Sequence, residues 1–194
     1  NGTSWIQLGQ DIDGEAQGDN SGYSVSINSN GSRLAIGAYG NDGNNGNGSG
    51  HVRVYEWNGI SWSQLGQDID GEAAGDLSGT SVSISSDGTR MAIGAVHNDG
   101  NGSNSGHVRV YEWNGISWSQ LGQDIDGEAA GDKSSGVDRS LSLSSDGTRV
   151  VIGAPYKDGN GNGAGHVRVF STPAAVCPIP LDITIHAAPS INLG

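Results

Sequence analysis

Twelve of the 21 acidic residues fall into three nearly identical strings. Asp11, Asp13, Glu15 and Asp19 belong to the first, Asp68, Asp70, Glu72 and Asp76 to the second, and Asp124, Asp126, Glu128 and Asp132 to the third. In each, D-I-D-G-E spaces three carboxylates two residues apart and a fourth acid follows four residues later. A loop that folds back on itself would gather these oxygens around calcium, which takes six to eight of them at about 2.3–2.6 Å. Calcium is therefore the candidate cofactor, and all twelve acids are its candidate ligands. The same acids have a second possible use, accepting backbone N–H groups at turns or pairing with the equally regular Arg33, Arg53, Arg90, Arg109, Arg149 and Arg168. Asp and Gly also suit turns for conformational reasons alone.

His51, His107 and His166 each stand between a glycine and the string V-R-V. Equivalent positions in successive units lie too far apart to share one metal at bond lengths of about 2 Å. Strand alternation places His107, Arg109, Tyr111 and Trp113 on one face and Val108, Val110 and Glu112 on the other. That arrangement predicts packing between neighbouring units, with arginine stacked on aromatic rings, or a sugar site if the face is open. No serine sits in a nucleophile-elbow string, and any carboxylate pair chosen for glycoside hydrolysis would be one of several interchangeable copies. An active site needs a unique place, so the reading is a protein that is not an enzyme. The one unique string inside the array, Ser134 to Ser140, reads as a loop salt-bridged by Asp138 and Arg139.

The elements that position these residues follow from the repeat. Trp5, Trp62 and Trp118 mark a tandem array, with S-W-S-Q-L-G-Q-D-I-D, S-V-S-I-S-S-D-G-T-R, A-I-G-A and G-H-V-R-V-Y-E-W recurring almost unchanged. In the second copy, Thr80 to Ser85, Arg90 to Ala95, His107 to Trp113 and Ser117 to Gln123 read as four short strands. Asp87-Gly88 and its counterpart Asn30-Gly31 mark a tight hairpin between the first two. W-N-G-I-S marks another between the last two, and Gly/Asn-rich loops precede each third strand. The expected fold is all-β, a β-propeller-like array of about three four-stranded antiparallel blades. Repeats span about 5–61, 62–117 and 118–170, within a repeat region 1–170, and a non-repeat tail occupies 171–194. The small residues of A-I-G-A fit strands that converge near an axis.

These strings resemble the FG-GAP repeat, the blade of integrin α-subunit propellers and of many secreted proteins. The carriers are "SGYSVSINSNGSRLAIGAYGND", "GHVRVYEW" and, in the third copy, the "GAP" at Gly153 to Pro155. The resemblance implies a secreted or cell-surface protein used for adhesion and protein–protein assembly. It also implies calcium in the hairpin between the first two strands, but here that hairpin is shortened to N-S-N-G-S-R or S-S-D-G-T-R, with at most one carboxylate. A fold alone does not fix an activity. The leading function is thus a non-enzymatic extracellular structural or adhesion module, and the alternative is a glycan-binding or calcium-dependent propeller.

Bulk properties narrow the partners. With 194 residues and a net charge of −12, the chain suits one domain and repels nucleic acid and anionic lipid. No stretch approaches the roughly 20 apolar residues of a membrane-spanning helix, so membrane insertion is not expected, while proteins and neutral glycans stay open as partners. Cys177 is the only cysteine and has no partner within the chain. The opening N-G-T-S-W reads as a processed or partial chain. Asn1, Asn30, Asn47 and Asn101 head glycosylation sequons in expected turns, relevant on a eukaryotic secretory route.

Three blades are too few to close a ring. The array begins with a last-strand sequence at Trp5 and stops after a third-strand sequence at Phe170. Such offset ends complete one another within a closed ring, between chains, or within a longer parent. In the tail, Leu181, Ile183 and Ile185 alternate with polar residues, a candidate strand for finishing the last blade or for joining a neighbouring subunit.

Overall fold

The computed structural model describes residues 2–135 and 140–173. The candidate strand at Leu181, Ile183 and Ile185, as well as Cys177, Asn1, Asp138 and Arg139, lie outside the described residues. Within them the chain is all-β, with three antiparallel sheets that close into no barrel. The first sheet holds β1 (Ser24–Ile27), β2 (Arg33–Ala38), β3 (His51–Trp57), β4 (Trp62–Gln64) and β5 (Ile69–Asp70). The second repeats it with β6 (Ser78–Ile84), β7 (Arg90–Ala95), β8 (His107–Trp113), β9 (Trp118–Gln120) and β10 (Ile125–Asp126). The third has β11 (Leu141–Leu143), β12 (Arg149–Ala154) and β13 (His166–Ser171).

Each full sheet is a meander in which the fourth position is divided. β4 pairs with Tyr55 to Trp57 and β5 with His51 and Val52, so both lie on the same edge of β3. β9 and β10 repeat this on β8. One expected strand thus becomes two short ones, because Gly66 and Gly122 take positive φ between them (83° and 81°) and bend the edge. The tight hairpins form at Asn30-Gly31, Asp87-Gly88 and Asp146-Gly147, with the glycines at φ 72°, 72° and 68°. Asn58 and Asn114 organise the W-N-G-I-S turns, each side-chain oxygen accepting two backbone N–H bonds of 2.9 Å.

Sheets stack face to face through two apolar clusters. Ala35, Val52 and Val54 of the first meet Ile84, Met91, Ile93 and Tyr111 of the second. Ala92, Val108 and Val110 of the second meet Leu141, Leu143, Val150 and Ile152 of the third. A seam of serines reinforces the stack at its narrow end. Ser24 Oγ donates to the Gly79 carbonyl at 2.8 Å, and Ser81 Oγ donates to the Ser135 carbonyl at 2.6 Å. Gly37 lies where a Cβ would run into the Gly79 carbonyl, and at Gly94 a Cβ would meet the Ser81 and Ser135 side chains. The small residues of A-I-G-A are therefore required by the approach of one blade to the next.

Replacing Gly37 with Ala forces the new Cβ against the Gly79 main chain, and such overpacking costs about 1–3 kcal/mol. Chemical denaturation of the variant should show that loss. Gly94→Ala, whose Cβ meets the Ser81 and Ser135 side chains before any carbonyl, should lose less; equal losses would contradict the assignment of the clash to backbone.

Candidate functional site

The second and third acidic strings leave the outer edge of one blade and cross to the next, the first leads into the first blade, and the four acids of a string do different work. The main-chain carbonyls of Asp13, Asp70 and Asp126 accept from Arg53, Arg109 and Arg168 Nη2 at 2.8, 2.8 and 2.6 Å. Each arginine also lies over the aromatic ring two residues later: Tyr55 or Tyr111 at 5.6 Å, Phe170 at 5.1 Å. The His/Arg/Tyr face is covered in the first two repeats, by the first acidic string over His51 and between blades over His107, and both histidines are 1% exposed. It is not an open sugar platform there.

The last acid of each string is a turn builder. Asp19 Oδ2 accepts from the Ala16 N–H at 2.9 Å and from Asn41 Nδ2 at 3.0 Å. Asp76 Oδ2 does the same with Ala73 and Asn98, at 3.2 and 2.9 Å. Asp132 Oδ2 accepts from the Ala129 N–H at 2.9 Å, and Lys157 Nζ stands 3.5 Å away where the other repeats have Asn. All three acids are buried. The sequence reading missed Asn41, Asn98 and Lys157; their regular place at the head of each Gly/Asn-rich loop was the available signal.

The remaining acids converge on the histidines from two successive strings. Glu15 Oε2 and Asp68 Oδ2 each lie 3.8 Å from His51 Nδ1. Glu72 Oε2 and Asp124 Oδ2 lie 3.7 and 3.8 Å from His107 Nδ1. In both groups the ligand-type atoms all fall within 4.8 Å of one another. The other oxygen of each glutamate faces arginine, at 3.6 Å for Arg53 and 3.5 Å for Arg109. The other oxygen of each aspartate accepts from Gln64 or Gln120 at 2.6 Å. Asp11, the matching residue of the first string, accepts from Gln7 at 2.8 Å. In the third repeat Glu128 is 3.7 Å from His166 and 3.5 Å from Lys157.

Electrostatics of the second group follow from this crowding. Burial raises the Glu72 carboxyl above its ordinary value; Arg109 opposes the rise, and Asp124, Asp76 and Asp126 add to it. Burial lowers the His107 imidazole, helped by Arg109 and opposed by the three aspartates. The ring is therefore held toward its neutral, ligating form. Beside the first group opens a polar crevice of about 550 Å³, lined by Glu15, Asn44, Gln64, Gly66, Gln67, Asp68 and Asp70.

The hairpin position where the family resemblance implies calcium does not fit the ion. Asp87 is raised by burial, but bonds from Ser85 and from the Thr89 N–H and hydroxyl outweigh this and hold it low. Asp146 is lowered to about 2 by the equivalent bonds from Ser144 and Thr148. Each carboxylate is committed to its own turn. Outside the buried face, Trp57 and Trp62 form a tilted pair 5.3 Å apart, and Trp113 and Trp118 one at 5.5 Å. Asn30, Asn47 and Asn101 are exposed.

Two outcomes are expected. Asp76→Ala leaves the buried Asn98 amide and the Ala73 N–H short of an acceptor, a loss of about 1–3 kcal/mol in denaturant unfolding, whereas Asp68→Asn changes stability little. For Asp146, the turn stabilises the fold above the unfolded carboxyl value of 3.8 and loses that contribution as pH falls through about 2. Carboxyl NMR titration should place its midpoint near 2, and Ser144→Ala should move it upward.

No curated protein matches the chain. The FG-GAP repeat family does, over residues 69–111, from β5 through β6 and β7 to Tyr111 in β8. Residues 69–111 are thus an FG-GAP repeat, running from the last edge strand of the first sheet through the second acidic string into the first three strands of the central sheet.

Proposed function

We propose that this chain is a non-enzymatic structural module of an extracellular or cell-surface assembly, in which one copy completes the unfinished third blade of the next. One observation carries the reading. Ser4 to Asp13 repeats Ser61 to Asp70 and Ser117 to Asp126 with a single change, Ile6 for serine. In those two places the string forms the outer edge of a blade, yet Trp5 and its neighbours form no strand and Trp5 is fully exposed. The third sheet has the complementary lack: among the described residues, β13 carries nothing on the edge where β3 and β8 carry theirs.

The faces match as well. Val151, Val167 and Val169 occupy the positions of Ala92, Val108 and Val110, which bury against a following blade, and they are 37–67% exposed. Val25 and Ile27 occupy the positions of Val82 and Ile84, which meet a preceding blade, and they are 58% and 59% exposed. Stacking these faces between copies repeats the contact already made twice within the chain. It is a head-to-tail contact, which generates a ring or a filament. The extracellular setting rests on the family of residues 69–111.

Light scattering after gel filtration should therefore find species larger than 19.8 kDa that grow with concentration. Burying a valine side chain stabilises by about 1.5 kcal/mol, so Val169→Asp should weaken association at least about tenfold. A peptide of residues 4–13 should cap β13 and shorten the assemblies. A 19.8 kDa particle at every concentration would overturn the reading.

A further inference from the structure

We infer that Glu72, His107 and Asp124 form a binding site for a divalent transition-metal ion of the zinc type, and that Glu15, His51 and Asp68 form a second copy of it. The acids alone would not point to a ligand. His107 does: it is 1% exposed, and its Nδ1 has no hydrogen-bond partner although it faces both carboxylates. Buried ring nitrogens are normally satisfied. At 3.7 and 3.8 Å, Glu72 and Asp124 are too distant to do so directly.

An ion between them resolves this. Zinc binds imidazole nitrogen and carboxylate oxygen at about 2.0–2.2 Å, which sets donor atoms about 3.0–3.5 Å apart. The two histidine–carboxylate distances close to that spacing by shifts of a few tenths of an ångström, the carboxylate oxygens already lie within 4.8 Å of one another, and the carboxylates are 42% and 29% exposed, which leaves them room to adjust. Glu72 can ligate with Oε2 while Oε1 keeps Arg109, and Asp124 with Oδ2 while Oδ1 keeps Gln120. The nitrogen donor decides the class of ion. Calcium takes an all-oxygen shell of six to eight ligands, whereas imidazole suits zinc and its neighbours. Three protein ligands leave coordination positions for water, and in the first copy the crevice beside Glu15 and Asp68 supplies an access route.

The third repeat is a built-in control. Glu128 and His166 are in place, but Lys157 puts its ammonium 3.5 Å from both Glu128 and Asp132, and that charge repels a cation even where Asp11 of another copy is added along β13. The expected stoichiometry is two.

Titration calorimetry of the full chain, freed of metal by chelator, with zinc chloride should give two ions per chain. His107→Gln should leave one. Because that residue is buried, Asp124→Asn serves as a second variant whose folding is checked by thermal melting; it should weaken one site by more than about tenfold. Cobalt(II) should bind the same two sites with the visible spectrum of a nitrogen–oxygen shell. Absence of zinc binding, binding unchanged in Asp124→Asn, or tighter binding of calcium at these positions would each overturn the inference.

Discussion

The stack depends on one buried arginine in each of the first two blades. Arg53 and Arg109, each 6% exposed, reach across to the main chain of the acidic string before them. A guanidinium in such a place is stable only with a counter-charge and acceptors, because removing one partner from a buried ion costs several kcal/mol. Glu15 and Glu72 provide the charge, the carbonyls of Asp13 and Asp70 the acceptor, and the tyrosine ring the remaining surface. The acidic string is thus fixed at one point by the blade behind it and at another by the blade ahead. Its high charge is a consequence of what it has to hold.

That constraint also explains why the four acids of a string diverge. The chain must turn from an outer edge into the narrow end of the next blade, and Asp19, Asp76 and Asp132 hold the turn by accepting backbone N–H bonds three residues back. Asp68 and Asp124 stay on the edge strand's side, where they face the histidine of their own blade, while Glu15 and Glu72 arrive at that histidine from the string before. No string folds back on itself. Carboxylates close in sequence are separated by the strand, and carboxylates 53 or 52 residues apart (15 to 68, 72 to 124) are brought together.

This shows how far the sequence could be read. The period of the tryptophans, the alternation of Val82 and Ile84 or Val108 and Val110, and the Asp-Gly turns are local signals, and the structure follows them in the three inner strands of each unit. Inter-blade packing of the His/Arg/Tyr face was also legible, since three large residues on one strand face need something to cover them. The acid–histidine groups were not, because they depend on the rotation from one blade to the next, which no local pattern encodes. The bend at Gly66 and Gly122, which divides the outer strand, was hidden for a related reason: glycine is so frequent here that a structural one does not stand out.

Near-identical repeats give near-identical blades, so the differences between copies carry the most information. Where Asn41 and Asn98 offer a neutral amide to a buried aspartate, the third repeat has Lys157, which places a full charge among Glu128 and Asp132. That blade lacks a following string, so its histidine and glutamate have no second carboxylate beside them in residues 140–173, and a lysine compensates Glu128 in place of an outside ion. The same blade presents valine at position 151 where the others have Ala35 and Ala92 under a neighbour. A bulkier side chain on a face that meets no other blade among the described residues can be accommodated by a surface that is not an identical copy. The third blade therefore differs from the first two in its charge balance and in its packing face, and both differences fall where the internal repeat stops supplying contacts.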